Sequence, residues 1–188
     1  KAGCDAVELN FSCPQMKLAG MGSDVGQNAE LVLFYTAYVR NRVKIPVIPK
    51  MTPNVASMNP MAMSCFYAGA QGISAINTIK SITMTDTSAV SDKKTVSGYS
   101  GKAVKPIALR MVWQVYHALR IPIIGLGGVM SATDAIEFFL AGATAVQIGT
   151  ANFIDPSCAM KVIAGIEEYL DRKNIPAVKD LIGQLKTV

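Results

Sequence analysis

Charged residues, histidine and long hydrophobic runs are all scarce in this sequence. Only 16% of its 188 residues are charged and one is histidine, whereas 51% are hydrophobic. This composition excludes a disordered chain and allows one domain with a large core. The apolar runs stop well short of the ~20 residues of a membrane span. Residues 1–5 carry no export signal, so we expect a cytoplasmic protein that does not insert into a membrane.

Cysteine pairs and basic clusters are also missing. The four cysteines, Cys4, Cys13, Cys65 and Cys158, never form a CxxC pair, so their spacing supports neither a zinc site nor an iron–sulfur cluster. The net charge is +5, but Lys and Arg are scattered and are not interleaved with aromatic residues. We therefore expect no metal and no nucleic-acid partner. An anionic cofactor accounts equally well for a mildly basic chain.

Hydrophobic periodicity predicts five βα units in succession. The predicted strands are Ala6–Asn10, Pro46–Met51, Gly72–Asn77, Pro122–Gly125 and Ala143–Ile148. The predicted helices are Asn28–Val43, Met58–Ala68, Val104–Leu119, Ala132–Leu140, Pro156–Asp171 and a short closing helix near Ala177–Leu185. A loop rich in Gly and Ser is expected before the helix at Val104–Leu119.

Polar residues or glycines follow strand after strand, at Asn10, Lys50, Asn77, Gly127 and Thr150. A barrel enzyme places its chemistry at these carboxyl ends, whereas an open sheet concentrates it at one switch point. The pattern favours an α/β fold of the (β/α)8 barrel type. Because such a barrel has eight strands and about 250 residues, we expect residues 1–188 to be the C-terminal five units of a single barrel domain, with three units supplied upstream.

The segment Glu8–Gln15 places an amide at a strand end and a thiol in the following loop. Taken alone, Cys13 reads more readily as a small buried hydrophobic residue in a turn. The whole segment, however, resembles the active-site strand and loop of the dihydroorotate and dihydropyrimidine dehydrogenases. That resemblance makes Cys13 the catalytic acid or base that moves a proton at one carbon of the pyrimidine double bond, which suits a thiol near neutral pH.

The same resemblance extends from Ala6 to about Asp171 and implies the substrate contacts. It assigns Asn10, Ser12, Asn77 and Thr78 to the pyrimidine. A carboxamide offers both a donor and an acceptor to the alternating carbonyl and N–H edge of the ring. Without the resemblance, an Asn-Thr pair after a strand is more often a turn or a helix cap.

The cofactor implied by the resemblance is FMN. Lys50 matches the family lysine beside the flavin pyrimidine ring, where a cation stabilises the charge of the reduced form. Gly101 matches a backbone contact to the flavin. Two glycine turns predict the phosphate site, although barrels of many activities place a phosphate there. The residues of these turns are Leu126, Gly127, Gly128, Gly149 and Thr150.

Two branches of the family compete for the chain. Three features resemble bacterial dihydropyrimidine dehydrogenase subunits: Gln15, residues 77–83, and the glycine-rich segment Gly20–Gln27, which resembles a mobile active-site loop. Residues 149–153 instead resemble the dihydroorotate branch. We therefore expect FMN-dependent reduction of uracil or thymine, with dihydroorotate oxidation as the alternative. A phosphate-binding barrel enzyme without flavin and an inactive fragment stay open as further alternatives.

The electron route is expected to lie outside the chain. NAD(P)H and iron–sulfur clusters would act only through missing segments or an electron-transfer partner subunit, in a homo- or hetero-oligomer. His117, the one histidine, lies on a predicted helix far from any strand end and is expected at the surface or in packing.

Overall fold

Parallel strands, each followed by a helix, make up the framework of the structure, a computed structural model that describes residues 3–13, 21–84 and 94–186. Its strands are β1 (Val7–Asn10), β2 (Val47–Met51), β3 (Ile73–Ala75), β4 (Ile79–Met84), β5 (Lys94–Tyr99), β6 (Ile123–Leu126) and β7 (Ala145–Gln147). Its helices are α1 (Ser23–Gly26), α2 (Ala29–Arg40), α3 (Asn59–Tyr67), α4 (Lys105–Ala118), α5 (Ala132–Ala141), α6 (Ala151–Ile154) and α7 (Cys158–Lys173).

Local sequence signals account for the ends of several helices. Asn28 caps α2 because its side chain accepts hydrogen bonds from the N–H groups of Glu30 and Leu31. Ser131 caps α5 in the same way, and Gly142 ends that helix in the left-handed region, with φ 115°. These caps fix where α2 and α5 begin after their strands.

The sheet order is β1-β2-β3-β6-β7, and every pair in it is parallel. Three strands separate β1 from β7, so in a flat sheet these two would lie ~19 Å apart. Yet Nε2 of Gln147 on β7 is 3.3 Å from Oε2 of Glu8 on β1. The long helices contact one another in series, from α2 to α5 and then α7. The sheet is therefore curled as in a (β/α)8 barrel, which confirms the predicted fold class.

The core lies between the outer face of the sheet and the helices. Val47 and Met51 of β2 are fully buried there, while Lys50 between them faces the opposite, concave side. Phe138 of α5 and Val112 of α4 are also fully buried. Among the described residues, none of the helices is both long and apolar enough to cross a membrane. In the same residues no three His, Cys, Asp or Glu side chains converge as a metal site would require.

The predicted order of five βα units is correct, with bounds that differ by a few residues, but three details of the prediction are wrong. The Gly- and Ser-rich loop contains an antiparallel hairpin formed by β4 and β5. Its strands were missed because they are largely polar and pair only with each other. The short helices α1 and α6 were not predicted. The closing helix is only a 3-10 turn, Val178–Leu181.

Candidate active site

A cavity of about 270 Å³ opens beyond the carboxyl ends of β2, β3, β6 and β7. All the residues predicted to hold the cofactor line it, together with two of the predicted substrate residues. The predicted residues that line the cavity are Lys50, Asn77, Thr78, Gly101, Leu126, Gly127, Gly128, Gly149 and Thr150. The curvature of the sheet thus gathers residues that are up to 100 positions apart in the sequence.

The turn after β6 requires both of its glycines. Gly127 has φ 121° and Gly128 has φ 82°, a region that side chains disfavour. A Cβ atom on Gly127 would lie 2.9 Å from Cβ of Ala108, and one on Gly128 would lie 2.9 Å from Cβ of Lys105. The turn therefore packs directly on the start of α4, and its backbone borders the cavity.

The second turn, after β7, is open where the first is crowded. A Cβ atom on Gly149 would meet no protein atom within 4 Å, so packing does not require glycine there. Glycine would be required at this position if a ligand approached the backbone closely. Gly101, with φ 96°, lies beside this turn, and the hydroxyl oxygens of Ser100 and Thr150 are 3.0 Å apart. These glycine turns together form a cradle that fits a phosphate group.

An ion pair behind the cradle ties α4 to α5. Nζ of Lys105 lies 2.6 Å from Oδ1 of Asp134 and 2.7 Å from Oε2 of Glu137. The other oxygen of Asp134 accepts hydrogen bonds from the N–H of Met130 and the hydroxyl of Ser131, which anchors the chain just after the Gly127–Gly128 turn. Burial opposes ionisation of Asp134, but the hydrogen bonds that it accepts, above all from Lys105, outweigh burial and lower its pKa.

Lys50 reaches the cavity from the end of β2 and has two polar neighbours that sequence reasoning missed. Its Nζ lies 3.2 Å from Oε1 of Glu8 and 3.3 Å from Oε1 of Gln147. Glu8 and Gln147 could have been found from the sequence, because a carboxylate and an amide are unusual inside otherwise apolar strands. Glu8 also lies two residues before Asn10 and so on the same face of β1.

The predicted substrate residues of two strands are joined by hydrogen bonds. Nδ2 of Asn77 donates to the hydroxyl of Ser12 at 2.5 Å, and that hydroxyl donates to Oδ1 of Asn10 at 2.9 Å. Oδ1 of Asn77 accepts from the N–H of Thr78. Asn10 and Ser12 do not line the cavity themselves, but this chain links them to Asn77, which does. Their contacts to a substrate stay a prediction.

Cys13 follows the fully buried Ser12 and is itself half-buried. Its carbonyl accepts a hydrogen bond from the N–H of Ser23, the first residue of α1, and the residue does not line the cavity. The predicted mobile loop therefore contains a helical turn in its second half. Gln15 and Gly20 lie outside the described residues. The catalytic role of Cys13 stays a prediction. Cys65 is buried in the core, and burial raises the pKa of its thiol to about 12.

A curled parallel sheet with helices on its outer face and a cavity at the carboxyl ends of its strands defines the class of (β/α)8 barrels. Comparison with known proteins narrows this class. The family model described as dihydroorotate dehydrogenase matches residues 2–170. The chain belongs to the dihydroorotate dehydrogenase family.

Curated relatives share this assignment. The chain is 49% identical over 187 residues to "Dihydroorotate dehydrogenase B (NAD(+)), catalytic subunit" of Geotalea daltonii, covering 96% of this chain and 59% of that protein. It is 48% identical to the protein of the same name from Phocaeicola vulgatus, again covering 96% and 59% of the two chains. The chain therefore spans about three fifths of the length of these relatives.

A solved structure supports the fold independently. The dihydroorotate dehydrogenase of Eimeria tenella in complex with ferulenol superposes with a TM-score of 0.80 at 21% identity, covering 96% of this chain and 54% of that one. At this identity the likeness shows only the fold, which is the partial barrel described above.

The predicted reduction of uracil or thymine is wrong, because the relatives at 44–49% identity are named dihydroorotate dehydrogenase B. The dihydropyrimidine dehydrogenase assignment is likewise not confirmed. Gln15 and the first residue of the segment Gly20–Gln27, both used to predict it, lie outside the described residues. Of the other residues that favoured it, only Asn77 and Thr78 line the cavity. The resemblance of residues 149–153 to the dihydroorotate branch agrees with the names of these relatives.

Proposed function

We propose that this protein is an FMN-dependent dihydroorotate dehydrogenase that oxidises dihydroorotate to orotate. The observation that carries the proposal is the 49% identity, over 96% of the chain, to a catalytic subunit of dihydroorotate dehydrogenase B. The cavity supports it because its lining includes a cation, Lys50, and a glycine cradle, the kinds of group that a flavin ring and its phosphate would use.

The residues present fit FMN. Gly101, Gly127, Gly128 and Gly149 would hold the phosphate through backbone contacts, beside the hydroxyl of Thr150. Lys50 would face the pyrimidine edge of the ring. When bound, FMN would supply the acceptor for the hydride that a ring carbon of dihydroorotate loses.

The chain's own residues would then remove the proton and orient the substrate. Cys13 takes the proton from the neighbouring carbon, so that loss of a proton and a hydride leaves the double bond of orotate. Asn10, Ser12, Asn77 and Thr78 orient the ring through their amide and hydroxyl groups, and the hydrogen bonds among the first three hold them in register.

Electrons must leave the site after each turnover. We propose that a partner subunit carries them to NAD⁺, because the relatives are named as catalytic subunits of a NAD(+)-dependent enzyme. No residue of this chain is assigned to that transfer.

Titration of the FMN-reconstituted protein with orotate and with uracil tests the proposal. The flavin absorbance reports both cofactor binding and ligand binding. We expect a visible flavin spectrum and an orotate Kd at least tenfold below that of uracil. Uracil binding as tight as orotate binding would contradict the substrate assignment. Failure to bind FMN at all would remove the redox function.

A further inference from the structure

Four polar side chains meet on the concave face of the sheet, behind the cavity. The carboxylate of Glu8 on β1 receives Nζ of Lys50 at 3.2 Å, the hydroxyl of Ser74 at 2.7 Å and Nε2 of Gln147 at 3.3 Å. These donors come from β2, β3 and β7. One carboxylate is thereby held by three other strands of the sheet.

Glu8 does not line the cavity, whereas Lys50 and Gln147 do. Any influence of Glu8 on a ligand therefore passes through its neighbours and its charge. Barrel interiors are usually filled with branched apolar side chains. A partly buried ion pair adds little stability compared with such packing, because desolvation offsets the attraction between the charges. Stability alone is thus a poor reason for a carboxylate at this position.

We propose that Glu8 is the counter-ion of Lys50, that it positions the ammonium at the cavity wall, and that it lowers the reduction potential of the bound flavin. The inference rests on the proposed function, since it requires FMN with its pyrimidine edge at Lys50. Glu8 is a positioning residue and not a catalytic one.

The direction of the effect follows from the charges. A cation beside the flavin favours the reduced form, which carries negative charge, and so raises the potential. The Glu8 carboxylate offsets part of that positive charge and lowers the potential again. In Glu8→Gln an amide oxygen in place of Oε1 still accepts a hydrogen bond from Lys50, and an amide nitrogen in place of Oε2 can donate to the hydroxyl of Ser74. The lysine therefore keeps its place while the negative charge is lost.

The test is the two-electron midpoint potential of FMN in the intact protein and in Glu8→Gln, with the Kd of FMN measured alongside. We expect the midpoint potential of FMN to be higher in the variant by at least about 30 mV, which corresponds to a tenfold change in the equilibrium constant for two-electron reduction. The Kd of FMN should change by less than about tenfold. Lys50→Met should shift the potential in the opposite direction.

Ser74→Ala is the matched control. It removes a hydrogen bond from the same carboxylate without changing any charge, so the potential should stay near that of the parent. Glu8→Asp provides a second variant. It withdraws the carboxylate from Lys50 by one methylene, and the potential should rise by less than in Glu8→Gln.

An unchanged or lowered potential in the Glu8 variants that retain FMN would overturn the inference and leave Glu8 a purely structural residue. Loss of FMN from both Glu8 variants would also overturn it, since the lysine and the cradle remain in place. Failure of the parent protein to bind FMN would instead refute the proposed function. The two failures are therefore distinguishable.

Discussion

Replacing Asp134 with Asn should destabilise the protein by about 2–3 kcal/mol. Removing one partner of a buried ion pair costs ~3–5 kcal/mol, because the other charge is left buried. Here Lys105 keeps its contact to Glu137 at 2.7 Å, and 19% of its side chain is exposed, which places the cost at or just below the lower end of that range. The single side-chain oxygen of Asn can accept either from Lys105 or from Met130 and Ser131 before α5, so the variant loses one of these two sets of hydrogen bonds.

Glu137→Gln is the internal comparison, since Glu137 contacts the same ammonium from a side chain that is 39% exposed. An exposed ion pair contributes ~0–1 kcal/mol. Urea unfolding, followed by the fluorescence of Trp113, the one tryptophan, gives the free energy of unfolding of each variant. If Asp134→Asn costs no more than Glu137→Gln, the ion pair does not anchor the two helices.

The pH dependence provides a second check. Because the folded-state pKa of Asp134 is lowered, its contribution is fully present above the unfolded value near ~4 and is lost as the pH falls through the folded value. The stability difference between the parent and Asp134→Asn should therefore be constant from about pH 5 to 9 and shrink below pH 4. A difference that does not change with pH would refute the role of the charge.

Three further variants test the site itself. Cys13→Ala should abolish steady turnover of dihydroorotate while the Kd of FMN stays unchanged, with Cys65→Ala as a thiol control; unchanged turnover would remove Cys13 from its role. Gly127→Ala should weaken FMN binding at least tenfold and lower the unfolding midpoint, because its Cβ would lie 2.9 Å from Ala108. Gly149→Ala should weaken FMN binding without changing the apoprotein midpoint, since that Cβ meets only open space; equal loss of stability in both variants would contradict the cradle geometry.

Much of the fold was predictable because it depends on local periodicity. Apolar strands such as Val47–Met51, followed by amphipathic helices, indicate parallel βα units wherever they occur. The hairpin of β4 and β5 was not predictable in this way. Its strands have little hydrophobic alternation and are held by pairing with each other.

The branch of the family depended on substitutions among otherwise shared motifs. Gln15 favoured one branch and the segment 149–153 favoured the other. A few such positions are weaker evidence for one branch than sequence identity over the whole chain. The comparison with relatives decided in favour of dihydroorotate dehydrogenase.

The sequence by itself determined the five βα units, the chemical types at their carboxyl ends and the glycines of the phosphate cradle, because each depends on neighbours close in the chain. Only the tertiary structure decided which of these groups meet. Glu8, Lys50 and Gln147 come together because the sheet curls, which brings positions 139 and 97 residues apart within hydrogen-bond distance. Lys105 and Asp134 meet because α4 and α5 pack side by side. Neither encounter follows from the residues alone, since both depend on how the strands and helices are arranged in space.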